Sequence, residues 1–111
     1  MKGRRKVTKE DKEWARQVKV RDEGKCVICG DNIRLNAHHI IPREIEETTH
    51  DIQNGISLCP THHRFSRQLS AHQNPLAFFI WMEKNREYQL NYLKDKLEAI
   101  NGTGRLAEEC Y

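Results

Sequence analysis

Two short pairs of metal-binding side chains, Cys26-x-x-Cys29 and Cys59-x-x-His62, bracket a stretch with little from which to build a hydrophobic core. Two intervening residues in a tight turn let both donors of a pair reach one ion, at about 2.3 Å for sulfur and about 2.1 Å for nitrogen. Pairs at both ends of one segment therefore predict a tetrahedral zinc site of three thiolates and one imidazole. Zinc would supply folding free energy that burial cannot. Composition shows why this is needed: of 111 residues, 37% are hydrophobic and 32% charged, with a mean hydropathy of −0.86. A chain of this size holds one core, and a polar one needs reinforcement. The fourth cysteine, Cys110, stands apart in the tail.

The segments around this staple can be read from local signals. Residues 1–7 form a basic tail containing Arg4, Arg5 and Lys6, which suits a polyanionic partner. Thr8 and Asp11 form a capping box that starts a helix running to about Asp22, with Trp14, Ala15, Val18 and Val20 as a thin apolar stripe. Glu23-Gly24-Lys25 ends it, and the first cysteine pair follows as a knuckle. Residues 33–41 alternate like a strand until Pro42, and residues 43–54 are polar loop. Gly55-Ile56-Ser57-Leu58 makes a second strand arriving at Cys59. Pro60 should open a helix over 61–69, and Asn74-Pro75 another, with Leu76, Phe79 and Ile80 on one face. Leu90, Leu93, Leu97 and Ile100 step by three and four along a final helix that Gly102 stops. The expected organisation is a tail (1–7), one domain (8–101, core about 22–72, C-terminal helices 75–101) and a second tail (102–111).

With the zinc ligands assigned, His38, His39 and His63 have no structural role. Adjacent residues of a regular strand face opposite ways, so His38 and His39 can share one site only if the strand bends before Pro42; such a distortion is expected. If His38 and His63 bind a second cation and His39 stays free, a Lewis acid lies beside a base that titrates near neutrality. That combination suits phosphodiester hydrolysis, with Arg43, Arg64 and Arg67 as candidate phosphate clamps.

The motifs Cys26-x-x-Cys29, Ala37-His38-His39-Ile40-Ile41-Pro42, Asn54-Gly55-Ile56-Ser57-Leu58-Cys59 and His62-His63 resemble the HNH endonucleases, over about residues 22–72. The resemblance implies an α+β fold: a small ββα-metal core stapled by zinc, between N-terminal and C-terminal helices. It makes His38 and His63 ligands of the catalytic metal, His39 the general base, and Asn54 the residue that pins the loop behind His39. Read without it, Asn54 is equally a turn residue before Gly55. Two departures from the commoner pattern stand out. His62 sits where many members have a cysteine, and Arg67 where many have a further histidine ligand. His72 is the candidate replacement if the chain turns back between Leu69 and Asn74. The stretch from Ser70 to Pro75 looks like phage-encoded members.

The function expected is hydrolysis of DNA as an endonuclease or nickase, using structural Zn2+ and a catalytic Mg2+, Mn2+, Ni2+ or Zn2+. The alternative is a non-catalytic zinc-stabilised nucleic-acid-binding module, which would have no need of His38, His39, His63 and Asn54 together. A zinc nucleobase deaminase is disfavoured, because Ile40 and Ile41 stand where it would carry a carboxylate. No apolar run approaches a bilayer span, and the basic start leads into polar residues rather than a signal peptide. A cytoplasmic monomer or weak homodimer is expected, in a host cell's cytoplasm if phage-encoded.

Overall fold

The computed structural model describes residues 6–102, so Arg4, Arg5 and Cys110 lie outside the described residues. Helix α1 (Lys9–Arg21) begins with the expected capping box: Thr8 Oγ1 accepts from the Asp11 amide at 3.1 Å, and Asp11 Oδ2 accepts from the Thr8 amide at 2.9 Å. Its buried stripe is Asp11, Trp14 and Val18, whereas Val20 is exposed. The helix stops where Glu23 and Gly24 both take positive φ. The knuckle follows, closed by the Gly30 amide on the Cys26 carbonyl and the Cys26 amide on the Asp31 carbonyl, each at 2.8 Å.

Strand β1 covers only Asn36–His39, shorter than the alternation predicted. Arg34 has φ 55°, and Asp31 Oδ1 accepts from the Ile33 amide, so a turn occupies the first part of that stretch and leaves Ile33 exposed. Strand β2 (Gly55–Leu58) is buried throughout and pairs antiparallel with β1 in the register Asn36↔Leu58, Ala37↔Ser57, His38↔Ile56 and His39↔Gly55. The chain does bend just before Pro42, at Ile40 and Ile41, but the register doubles no residue at His38 and His39, so the bend does not bring the two rings to one side.

The predicted helix over 61–69 is also corrected. Only a wide turn, Thr61–Phe65, forms, and the Ser66 amide closes it on the Thr61 carbonyl at 2.8 Å. The serines divert the chain: Ser66 Oγ accepts from the Leu69 amide, and Ser70 Oγ donates to the Ser66 carbonyl. The chain then folds back, with the Ala71 amide on the His62 carbonyl (2.9 Å) and the His72 amide on the His63 carbonyl (3.0 Å).

Helices α2 (Pro75–Asn85) and α3 (Glu87–Asn101) complete the fold. In α2 the buried side chains are Phe78 and Met82; Leu76, Phe79 and Ile80 do share a face, but it is exposed. That helix meets the core through Phe78 and Met82. In α3, Leu90 and Leu93 are buried as their spacing suggested, and Gly102 caps the end with φ 73°. The core joins Cys26, Ile56, Leu58, Cys59, Ala71, Phe78, Met82 and Leu90, so two of the four candidate zinc ligands, Cys26 and Cys59, are part of it. No helix among the described residues is long and apolar enough to cross a membrane.

Both outer helices hold the segment before β2. Arg21 donates to the Ile52 and Gly55 carbonyls, Gln89 to those of Gln53 and Gly55, and Tyr92 Oη to Asp51 Oδ2 at 2.6 Å. Asp22 accepts from the Ser57 amide and from both Arg21 and Arg86. Burial works against its ionised form, but the Arg21 guanidinium and the Ser57 amide outweigh that and keep its pKa below the ordinary value.

Candidate functional site

The sequence-predicted zinc ligands converge. One donor atom from each of Cys26, Cys29, Cys59 and His62 lies within 4.8 Å of all the others. Cys29 Sγ is 3.7 Å from Cys59 Sγ, and His62 Nδ1 is 3.5 Å from Cys59 Sγ and 3.8 Å from Cys26 Sγ. A tetrahedron with zinc–sulfur bonds of about 2.3 Å has edges of about 3.8 Å, so the donor set fits zinc. The charges agree with this. Burial and the neighbouring thiols push the Cys29 thiol up to about 11, despite an opposing hydrogen bond from the Asp31 backbone. A bound cation would favour the Cys29 thiolate beside the other two sulfurs.

A second cluster forms around His38, on β1. Its ring lies 5.1 Å from that of His63 and 5.2 Å from that of His72, each edge-on, with Phe78 packed against it at 5.8 Å. His63 comes from the wide turn and His72 from the returning chain, and their Nε2 atoms are 3.2 Å apart. Donor atoms of all three lie within 4.8 Å of one another. The chain thus does turn back to supply His72, although it does so from Ser66 rather than from Leu69. Arg67, where a helical continuation would have put a ligand, is outside this cluster. Its carbonyl accepts from Asn74.

Burial pushes His38 down to about 3, helped by His63, His72, His39 and the Arg64 guanidinium. His63 falls to about 4 by burial, with His72 and Arg64 adding to it, and His72 is lowered for the same two kinds of reason. Neutral imidazoles are the form that binds a cation. His63 Nδ1 is buried without a hydrogen-bond partner, which makes this ring an expensive one to keep for packing alone.

His39 lies on the other side of the ribbon. Its Nε2 is 2.9 Å from the Thr49 carbonyl, so Nε2 carries the proton and Nδ1 keeps its lone pair. Its ring lies flat on the indole of Trp14, with centroids 3.9 Å apart and planes at 6°. Burial lowers its pKa, partly offset by the Thr49 carbonyl and reinforced by Arg43. A charge on His39 is nonetheless felt at His38, so the two sides of the strand are not electrically separate.

Asn54 links these parts. It is fully buried; its Oδ1 accepts from the Ile41 amide at 2.6 Å, and its Nδ2 donates to the Ile41 and Thr48 carbonyls at 3.0 and 3.1 Å. It therefore pins the end of the His38-His39 strand to the loop whose Thr49 carbonyl orients His39. The turn-residue reading of Asn54 is too weak for this. Thr49 and Trp14 were not singled out for the site: a carbonyl contact leaves no mark in sequence, and Trp14 looked like an ordinary core residue. His50, unassigned from sequence, has Nε2 at 2.8 Å from Asp11 Oδ1.

Of the expected phosphate contacts, Arg64 acts electrostatically on all three clustered histidines and Arg43 on His39. Arg67 and Lys6 are exposed, with no such link to the site.

Residues 26–69 match the family model described as HNH endonuclease. The match spans both knuckles, both strands and the histidine-bearing turn, the same stretch whose motifs carry the resemblance. No curated protein and no solved structure matches the chain.

Proposed function

We propose that this chain is a metal-dependent DNA endonuclease or nickase, with residues 8–101 acting as one nuclease domain and His39 as general base. The observation that carries the reading is the convergence of His38, His63 and His72 on one point, apart from the Cys3His site, with His39, whose free nitrogen is Nδ1, as the next residue of the strand that carries His38. A protein that only bound nucleic acid would gain nothing from three imidazoles aimed at each other, two of them, His38 and His63, largely withdrawn from water.

His38, His63 and His72 would hold a divalent cation, which supplies neutralisation of the charge that builds on phosphate oxygens as the bond breaks. Imidazole ligands suit Zn2+, Ni2+ or Mn2+, and water and phosphate oxygens filling the remaining positions also admit Mg2+. Arg64 and Arg43 bind the backbone phosphates on either side of the strand. His39 Nδ1 takes the proton of a water that attacks phosphorus, the bond to the leaving sugar oxygen breaks, and that oxygen takes a proton from solvent water to leave as the alcohol. Nε2 keeps its proton and donates it to the Thr49 carbonyl, which stabilises the imidazolium so formed. Asn54 keeps that carbonyl and the strand end in fixed relation. Cys26, Cys29, Cys59 and His62 take no part in the reaction; they hold structural zinc. Lys6, Arg67 and the basic tail add sequence-independent affinity that weakens as salt rises.

Plasmid cleavage tests this. Wild type and His39→Ala, both zinc-loaded, are given Mg2+, Mn2+ or Ni2+. Cleavage by wild type with at least one cation is expected, with a loss of about 10²–10⁴-fold in the variant. Equal cleavage by the variant removes the base, and no cleavage with any cation favours the binding module.

A further inference from the structure

We propose that Trp14 is a positioning residue for His39, a plate on α1 that fixes the plane of the imidazole; this rests on the nuclease reading above. Two contacts at right angles hold the ring. Its face lies on the indole, 3.9 Å away and within 6° of parallel, and its edge donates from Nε2 to the Thr49 carbonyl at 2.9 Å. Rotating the ring about its bond to Cβ breaks both at once.

The plate is itself fixed. Trp14 is 5% exposed, and its Nε1 donates to the Asp51 carbonyl at 2.8 Å. The β-ladder explains how a large indole fits there. The residue opposite His39 on β2 is Gly55, and a Cβ at that position would lie 2.6 Å from the indole Cζ2 and collide with Val18 as well. The missing side chain of the cross-strand partner makes room for the plate against the imidazole. Helix α1, outside the segment that matches the family model, thereby becomes part of the working site.

A base must be held within a fraction of an ångström of its reactive position, and misplacement by about 1 Å can cost roughly 10²-fold in rate. Trp14→Leu removes the plate and Trp14→Phe keeps a smaller one. For each, kcat and KM for plasmid cleavage are measured, together with the His39 imidazole signals by NMR. In Trp14→Leu, kcat should fall about ten- to a hundredfold with KM little changed, and Trp14→Phe should recover most of the rate. The wild-type ring should be a single Nε2–H tautomer with its protons displaced upfield by the indole, and Trp14→Leu should lose both signatures.

A folded Trp14→Leu with wild-type kcat overturns the proposal, as does one whose rate falls while the imidazole signals stay unchanged. Should Trp14→Leu fail to fold, the decision passes to Trp14→Phe and the wild-type spectrum, where absence of the upfield displacement overturns it. A wild type that cleaves nothing but whose His39 signals collapse in Trp14→Leu removes the nuclease reading and leaves the plate standing.

Discussion

His62 and His63 are neighbours in the chain and belong to different sites, one with the thiols and one with His38 and His72. The thiol site draws on two compact pairs, and each pair is complete within a single turn. The imidazole site needs one residue from a strand, one from a wide turn and one from a chain that reverses direction. A site built from local pairs is specified wherever its two ends meet. A site built from three separate elements exists only once the fold is already formed, so the first should support the fold and the second should depend on it.

The sharpest way to break this comparison is to remove the zinc. A tight chelator, or Cys59→Ala, should abolish the cooperative thermal transition seen by circular dichroism, since structural zinc contributes apparent free energies of about 10 kcal/mol or more in small domains. A chelated protein that still melts cooperatively would put both sites on the same footing. His72→Ala makes the converse test. It should leave zinc content unchanged but weaken Mn2+ or Ni2+ binding by calorimetry by at least the roughly tenfold that even a lost outer-shell partner costs. Unchanged affinity would exclude His72 as a ligand.

Acid should separate the sites next. His38 and His63 sit at about 3 and about 4 in the folded chain, against 6.5 when free of these surroundings. The unfolded chain therefore binds more protons below about 6.5, so their contribution to stability is whole above that pH and is lost as pH falls towards 4. Without added divalent cation, the melting temperature of wild type should drop over this window more steeply than that of His38→Phe. Parallel curves would mean that the rings are not desolvated as described. The smallest effect is expected among the arginines. Arg64→Ala should weaken DNA binding and reduce the salt slope by about 1, whereas Arg67→Ala, farther from the histidines' electrostatic reach, should do less.

The difference between the two sites also explains what could be read without coordinates. Cys26, Cys29, Cys59 and His62 were legible because donor type and spacing are both local. The capping box at Thr8, the stop at Gly102 and strand β2 were legible for the same reason. The helix expected over 61–69 failed because Ser66 and Ser70 offer the backbone hydrogen bonds that compete with helical ones, a contest that propensity does not settle. The expectation that a bend before Pro42 would bring His38 and His39 to one site failed for a different reason, although the bend itself forms at Ile40 and Ile41. It assumed that both rings must face one side, whereas the ladder stays regular and each ring finds its own partners across the ribbon.

By itself the sequence determined which residues could carry metal, proton and phosphate chemistry, because those capacities belong to side chains and to spacings of a few residues. It also fixed Asn54 as a residue to watch, through the motif around it. Only the tertiary structure decided that His72 joins His38 and His63, that the Thr49 carbonyl leaves Nδ1 of His39 free, and that Trp14 lies over that ring in the gap left by Gly55. Each of these is a meeting of groups from separate elements. Contacts of that kind follow from how the chain packs against itself, and no local pattern encodes them.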